Sequence, residues 1–250
     1  MYVTRLVLAL LVSVFFARQM EAAGVNLMVN GSFETQENML GGEPETYGDW
    51  EGDWTEIVGA QNGITPADGS QMLRFIYTLQ WGPNGVSGGS NLWQIIDVGA
   101  YAQQIAQGYA TAQASVKFNR IFFDAETDTQ FDVRLGAYAG LPGTFPAQNE
   151  NTELVQQFSS VFTDADLATW QLVTVELPLP RNTDFIAIAL VAAENVQNDG
   201  SDPEFDGHYC DDVKVTITVV PEPSPWVLLG MAAAALLAYA VRRSNLHPGS

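Results

Sequence analysis

Five aromatic residues lie in or next to glycine-rich stretches of this sequence, where side chains usually reach the surface: Tyr47, Trp50, Trp54, Trp81 and Trp93. A ring on a loop can stack against the apolar face of a sugar while polar neighbours bind the hydroxyls. Trp81 is the strongest candidate, because glycine, proline and asparagine follow it. Trp50 and Trp54 have an alternative place in a core, because they come just after a long loop. We predict a ligand surface formed by Trp81, Trp93, Tyr47 and Trp50.

Catalytic patterns are weaker than this aromatic pattern. A glycosidase needs two carboxylates roughly 5 to 9.5 Å apart, and a single sequence does not give that spacing. The two histidines are His208, which we expect at a strand edge, and His247 in the C-terminal tail. The sequence holds no legible Ser-His-Asp motif, phosphate-binding glycine loop or zinc spacing. We therefore predict a protein that is not an enzyme, with an extracellular glycan hydrolase as the alternative.

The charge balance limits the kinds of molecule that this protein can bind. The chain has 250 residues, of which 29 are acidic and 10 are basic, and its net charge is -19. A surface with this charge repels phosphate backbones, which excludes nucleic acid as a partner and favours divalent cations. The simpler explanation of the charge is that it keeps the protein soluble. The one cysteine, Cys210, excludes a disulfide within the chain. We expect it to be buried as a small apolar residue.

The elements that must position these residues are strands. Alternation of apolar and polar residues is clearest at 110–118, and 185–192 is apolar at every position, as in a central strand covered on both faces. Residues 100–107 can form a short helix. Many short strands separated by turn residues predict an all-β antiparallel sandwich of jelly-roll type. The predicted strands are 26–34, 54–58, 71–78, 92–98, 110–118, 131–138, 171–177, 185–192 and 211–220.

Both ends of this body carry motifs. Asn30-Gly31-Ser32-Phe33-Glu34 opens it, and Asp211-Asp212-Val213-Lys214-Val215 closes it. The pair resembles the first and last strands of galactose-binding-like β-sandwiches, which include carbohydrate-binding modules. The resemblance implies a structural Ca²⁺ between those strands. Its ligands would be oxygens from separate segments, as a hard cation requires. Glu34, one or both of Asp211 and Asp212, and carbonyl oxygens near Asp68 to Gln71 would supply them. The alternative is that these acids are solvated strand ends.

The N-terminus has the features of a signal peptide. Arg5 precedes an apolar run from Leu6 to Ala17, and Ala22-Ala23-Gly24 supplies small residues for cleavage. We predict a signal peptide at 1–24 and a β-sandwich domain at 25–220. The alternative is an N-terminal membrane anchor.

The C-terminus has three parts in order: Pro221-Glu222-Pro223, an apolar run over 226–241, and Arg242-Arg243. The prolines must end the last strand. A helix over the run is about 24 Å long, which is near the lower limit for a bilayer core of about 30 Å. The arginines favour a cytoplasmic end.

These three parts together resemble the PEP-CTERM sorting signal, although the tail to Ser250 is longer than is usual. The resemblance implies that 221–250 is a sorting signal with a transmembrane helix at 226–241. Pro221, Glu222 and Pro223 would be the site recognised by an exosortase, and Arg242 and Arg243 would hold the tail at the cytoplasmic side of the membrane. The protein would be anchored at least transiently in the inner membrane of a Gram-negative bacterium and then reach the cell surface or extracellular matrix.

The sequence therefore predicts an exported, non-catalytic module that binds or structures extracellular polysaccharide. The alternatives are the hydrolase and a permanently anchored scaffold.

Overall fold

The computed structural model describes residues 24–77, 89–121, 129–145, 153–164, 166–194 and 207–220, and five positions between 230 and 239. The chain divides into two compact units, Met1–Thr218 and Val219–Ser250. The predicted signal peptide, except Gly24, lies outside the described residues.

The described residues form ten strands in two five-stranded sheets. Sheet 1 has the order β1-β4-β9-β6-β7 and sheet 2 the order β2-β3-β10-β5-β8. The strands are β1 (Trp50–Gly52), β2 (Trp54–Val58), β3 (Met72–Tyr77), β4 (Gly89–Asp97), β5 (Ala110–Arg120), β6 (Thr129–Tyr138), β7 (Glu153–Phe162), β8 (Gln171–Pro178), β9 (Phe185–Glu194) and β10 (His208–Val219). The predicted short helix is present as a 3-10 turn, Gly99–Tyr101, followed by α1, Ala102–Gln107. A second 3-10 turn covers Pro142–Thr144.

The strand order confirms the jelly roll. The eight strands from β3 to β10 form two four-stranded sets, β3-β10-β5-β8 and β4-β9-β6-β7. The chain passes from one sheet to the other at most connections, which gives the two interlocked Greek keys of this fold. β1 and β2 extend the two sheets at one side.

The core lies between the sheets, and the alternating strands supply it as predicted. Phe118 of β5 stacks on Phe131 of β6 with ring centroids 4.7 Å apart, and Phe75 of β3 lies 6.3 Å from Phe131. From Phe185 to Ala192 every residue of β9 is buried, because this strand is central in sheet 1. Burial of each such ring contributes about 1.5–3 kcal/mol.

The predicted strand 26–34 was wrong, and the strands β1 and β7 were not predicted. The segment 26–34 runs beside β10, where Leu27 N–H donates to Val215 O and Val213 N–H donates to Gly31 O. It forms no regular strand, because Asn30 and Phe33 have positive φ angles of 50° and 52° and turn the chain. In contrast, β7 is a strand that the sequence did not reveal, because its residues do not alternate in polarity.

In the second unit, Gly230, Ala233, Ala235, Leu236 and Tyr239 have helical backbone and are exposed. Among the described residues, no helix is both long and apolar enough to cross a membrane. Most of the predicted helix 226–241 lies outside the described residues, as do Pro221, Glu222, Pro223, Arg242 and Arg243.

Candidate functional site

The outer face of sheet 1, which points away from the core, carries a row of large side chains. The strand registers place Glu51 of β1 beside Trp93 of β4, then Ala189 of β9, Arg134 of β6 and Phe158 of β7. Directly opposed residues share a face, so all five point outward. Three strand spacings separate Trp93 from Phe158, which is about 14 Å. We call these five residues the cross-strand row.

A small aromatic cluster supports one side of the row. Trp93 is half-buried and meets the ring of Phe145 edge-on at 5.7 Å. Phe145 follows the second 3-10 turn and packs in turn against Tyr138 and Phe185. The Tyr138 ring lies so close over Gly136 that a Cβ there would be 2.6 Å from the tyrosine hydroxyl oxygen. This packing limits the orientations of the Trp93 ring while leaving part of it accessible.

Polar side chains next to the row are held by one another. The Arg134 guanidinium bonds the Asp132 carboxylate at 3.3 Å, and the Gln130 amide donates to the same carboxylate at 2.7 Å. Beside Trp93, the backbone N–H and the side-chain amide of Asn91 both donate to Asp53 Oδ2. These bonds hold the polar groups of β4 and β6 in fixed positions.

The other end of the row is acidic. Burial, together with the negative charges of Asp49 and Glu45, raises the pKa of Glu51. Tyr47 lies next to β4, where it forms a bridge with Ile95, two residues from Trp93. The Tyr47 side chain is 42% exposed. Burial, together with the negative charges of Asp97 and Asp184, raises the pKa of its hydroxyl.

Of the four predicted ligand-binding aromatics, the structure brings two together, Trp93 and Tyr47. Trp50 is only 1% exposed, its ring packs 5.5 Å from Phe33, and its Nε1 donates to Val29 O. It is therefore a core residue and has no free ring face, as the alternative reading held. Trp54 is instead exposed at the start of β2. Trp81 lies outside the described residues.

Two of the predicted calcium ligands hold one loop from both sides. Glu34 accepts the backbone N–H groups of Ser70 and Gln71 and the Ser70 hydroxyl, at 2.7 to 2.8 Å. These bonds, that of the hydroxyl first, lower the pKa of Glu34. Asp211 accepts the N–H groups of Ala67 and Asp68 at 2.7 and 2.9 Å. The two carboxylates thus fix the loop 66–71 against β10 and the segment 26–34.

The other two predicted calcium ligands have different partners. Asp68 accepts the Ser32 hydroxyl at 2.7 Å. Asp212 forms ion pairs with Lys117 at 2.9 Å and with Lys214. In the part of the chain that the structure describes, no three acidic, histidine or cysteine side chains converge as a cation site requires. The carboxylates of these four residues do not form such a group, and calcium binding stays a prediction of the sequence.

The remaining chemically active side chains lie in the interior. Cys210 is buried as predicted, and its burial raises the pKa of the thiol well above the usual value. His208 was expected at a strand edge, but it is only 4% exposed and its ring lies 5.9 Å from that of Phe131. The core face of β10 therefore includes a histidine.

Sequence reasoning missed Arg134, Asp132 and Phe158 as members of this surface. Arg134 and Asp132 were visible as the polar side of a strand, but nothing in the sequence placed β6 two strands from β4. Phe158 carried no signal because β7 was not recognised.

The chain was compared with protein-family models, curated proteins and solved structures. No protein-family model and no curated protein matches the chain. Among solved structures, the chain is similar to TmCBM61 in complex with β-1,4-galactotriose, with 14% identity, coverage of 78% of this chain and 99% of the other, and a TM-score of 0.43.

Two other similar structures are also carbohydrate-binding modules. A family 16 module is 16% identical, with coverage of 76% and 99% and a TM-score of 0.43. The C-terminal family 22 module of Clostridium thermocellum Xyn10B is 15% identical, with coverage of 76% and 98% and a TM-score of 0.38. Since all identities are below 25% and all TM-scores below 0.5, a function for this chain has to rest on its own residues.

Proposed function

We propose that this protein is a non-catalytic module that binds extracellular polysaccharide on the outer face of sheet 1. The observation that supports this most directly is Trp93, a partly exposed indole whose ring packs against Phe145. Because the ring is already ordered, little side-chain entropy would be lost when a sugar stacks on it.

The surroundings of Trp93 supply the other half of sugar recognition. Arg134 stands across Ala189 from Trp93, and Asp132 stands across Val191 from Asn91, which is next to Trp93 on the outer face of β4. Hydroxyl groups of a sugar on this face could replace or share the existing hydrogen bonds of these polar side chains. The width of about 14 Å between Trp93 and Phe158 suits a short stretch of a chain better than a single sugar ring.

The acids on this face also favour one class of polysaccharide. Glu51, Asp53 and Asp132 all lie on or beside the row, and Arg134 is the one basic side chain in the five described strands of sheet 1. A uronate or sulfate group would meet repulsion from these carboxylates. We therefore expect a neutral glycan.

The test is retention of the full-length chain on gels that contain neutral or acidic matrix polysaccharides. Trp93→Ala should abolish retention by the neutral polysaccharide, and Arg134→Ala should weaken it. Trp54→Ala is the matched control, because Trp54 is exposed on the other sheet and should not matter. Circular dichroism checks the fold of each variant. Loss of retention in Trp54→Ala, or unchanged retention in Trp93→Ala, would refute the site.

The second part of the proposal concerns the export and sorting of the protein, and it rests on the two ends of the chain. The signal peptide, the Pro221-Glu222-Pro223 site and the basic pair Arg242-Arg243 support export and exosortase sorting to the surface or matrix. Mass spectrometry of the protein released by the native host tests this. Sorting predicts that material ends near Pro223, whereas peptides from beyond Val241 would favour a permanent anchor.

A further inference from the structure

β7 is the outermost strand of sheet 1, and within the described residues it pairs with β6 alone. On an edge strand, alternate residues point their N–H and C=O groups away from the sheet, where another strand can bind them. β7 has ten residues, and none of them is lysine, arginine or proline, which natural edge strands use to block such pairing. Its one charge is on Glu153, at the first position. β7 is thus an open template.

The other edge strands of the sandwich are protected. β1 has three residues and β2 has five, including Glu56, which forms an ion pair with Arg74. β8 carries Glu176 and ends at Pro178. Short length, charge and proline all discourage pairing with another chain. Among the described edge strands, β7 is therefore the one that favours pairing with a strand of another chain.

β7 also exposes large apolar side chains. Phe158 is 65% exposed and Phe162 is 57% exposed, and none of the ten residues of β7 is buried. Both phenylalanines lie on the outer face of sheet 1. A partner that pairs with the backbone of β7 would therefore gain apolar contacts as well as hydrogen bonds.

The order of residues in β7 is symmetric in polarity. From 154 to 162 the sequence is Leu-Val-Gln-Gln-Phe-Ser-Ser-Val-Phe, with Phe158 at the centre. Over the regular part of the strand, 155–161, an antiparallel copy with Phe158 opposite Phe158 pairs apolar with apolar and polar with polar: Val155 with Val161, Gln156 with Ser160 and Gln157 with Ser159. Leu154 lies where the register of β7 against β6 shifts, and it would face Phe162 at the end of the pair. A register shift of two residues, which keeps the faces matched, sets apolar side chains opposite polar ones at most positions.

The charge of the chain agrees with this choice of partner. At a net charge of -19, two copies repel each other over most approaches. Along β7 little charge opposes the pairing, because Glu153 is the only charged residue of the strand and the symmetric register sets it opposite Thr163 of the other copy.

We propose that two copies of this chain associate by antiparallel pairing of β7 with β7, centred on Phe158. The pairing joins the two copies of sheet 1 into one continuous sheet, with both outer faces on the same side. Two Trp93 surfaces then lie on one face, so that a long polysaccharide could engage both and be held more tightly than by either alone. The dimer itself does not depend on polysaccharide binding.

A cysteine cross-link tests the register directly. The native Cys210 is buried, so a cysteine placed on β7 is the reactive one. In the proposed register, the Cα atoms of two copies of residue 158 are about 4.5–5.5 Å apart, within the range of about 4.4–6.8 Å that a disulfide needs. Phe158→Cys should therefore give a disulfide-linked dimer under mild oxidation.

The matched control is Gln156→Cys on the same strand and face. Two copies of residue 156 are about 13 Å apart in this register, so this variant should not cross-link with itself. It should cross-link when mixed with Ser160→Cys. Self-linking of Gln156→Cys, or failure of Phe158→Cys to link, would refute the register.

Sedimentation velocity of the full-length chain in a mild detergent measures the association without a cross-link. Wild-type protein should sediment as a dimer, and Phe158→Lys, which places two lysines face to face, as a monomer. Leu172→Lys is the control, because Leu172 is a similarly exposed apolar residue on the edge strand β8. All three proteins contain the C-terminal apolar run, so a difference in association between them does not come from that run. A monomeric wild type, a dimeric Phe158→Lys, or a monomeric Leu172→Lys would each overturn the proposal.

Discussion

Gln94 and Val29 are joined by two hydrogen bonds. The Val29 N–H donates to Gln94 Oε1 at 3.1 Å, and Gln94 Nε2 donates to Val29 O at 2.9 Å. The Gln94 side chain is fully buried on the core face of β4. Its amide thus takes the place of a strand backbone and fixes the segment 26–34 across the end of the sandwich.

Replacing this amide should destabilise the fold. Gln94→Leu keeps the volume but leaves the Val29 N–H without its acceptor, which we expect to cost about 1–3 kcal/mol in the free energy of unfolding. Gln113→Leu is the control, since Gln113 bonds Glu176 on the outer face of sheet 2, and it should change stability by less than about 0.5 kcal/mol. Urea unfolding of both variants measures the difference. Equal effects would mean that the Gln94 bonds are not specific anchors.

Gly31 should not tolerate a side chain. A Cβ at this position would lie 2.3 Å from Val213 O, where the segment 26–34 pairs with β10. We expect Gly31→Ala to lower the stability by about 1–3 kcal/mol, because the pair must separate. At Gly59 the closest atom to a Cβ is 3.8 Å away, so Gly59→Ala serves as the control. Thermal melts compare the two, and an unaffected Gly31→Ala would show that this pairing is loose.

Asp211 should make stability depend on pH with an unusual sign. Burial raises the pKa of Asp211 to about 6, against the effect of its three backbone N–H bonds, from a usual value of 3.8. Between these two values the folded state holds the proton more tightly than the unfolded state does. The contribution of Asp211 to stability is therefore present below about pH 4 and is lost as the pH rises through about 6.

Unfolding midpoints across this pH range test the assignment. Asp211→Asn should remove the decline towards pH 6 that wild-type protein shows. Glu34 should contribute to stability in the opposite pH direction. Because its pKa is lowered, its contribution is lost as the pH falls below 4.5, and Glu34→Gln should remove that loss. Parallel profiles for wild type and Asp211→Asn would refute the role of Asp211.

Calcium should not be required to hold the loop 66–71. Glu34 and Asp211 already bind this loop through its own N–H groups, which point hydrogen atoms and not oxygens at the carboxylates. We therefore expect EDTA to leave the melting temperature unchanged. A fall of several degrees that Ca²⁺ reverses and Mg²⁺ does not would instead support the calcium site that the sequence predicted.

Features that depend on neighbouring residues could be predicted from the sequence, whereas features that depend on distant residues could not. Alternation at 110–118 and the apolar run at 185–192 identified core strands correctly, since the face on which a strand residue lies depends on its immediate neighbours. The burial of Cys210 followed from its side-chain chemistry. The acidic composition and the resemblance of both ends to sorting signals also came from the chain alone.

The candidate site could not be predicted from local sequence patterns. Trp50 and Glu51 are adjacent, yet Trp50 enters the core and Glu51 points outward beside Trp93, because a shift of one residue in a strand changes the face. Similarly, Trp93 and Arg134 are far apart in sequence and share a surface because β9 lies between their strands. The sequence by itself determined the charge and most of the strands, and it predicted the targeting motifs. The tertiary structure decided which side chains meet, because the pairing of distant strands sets both their order and their register.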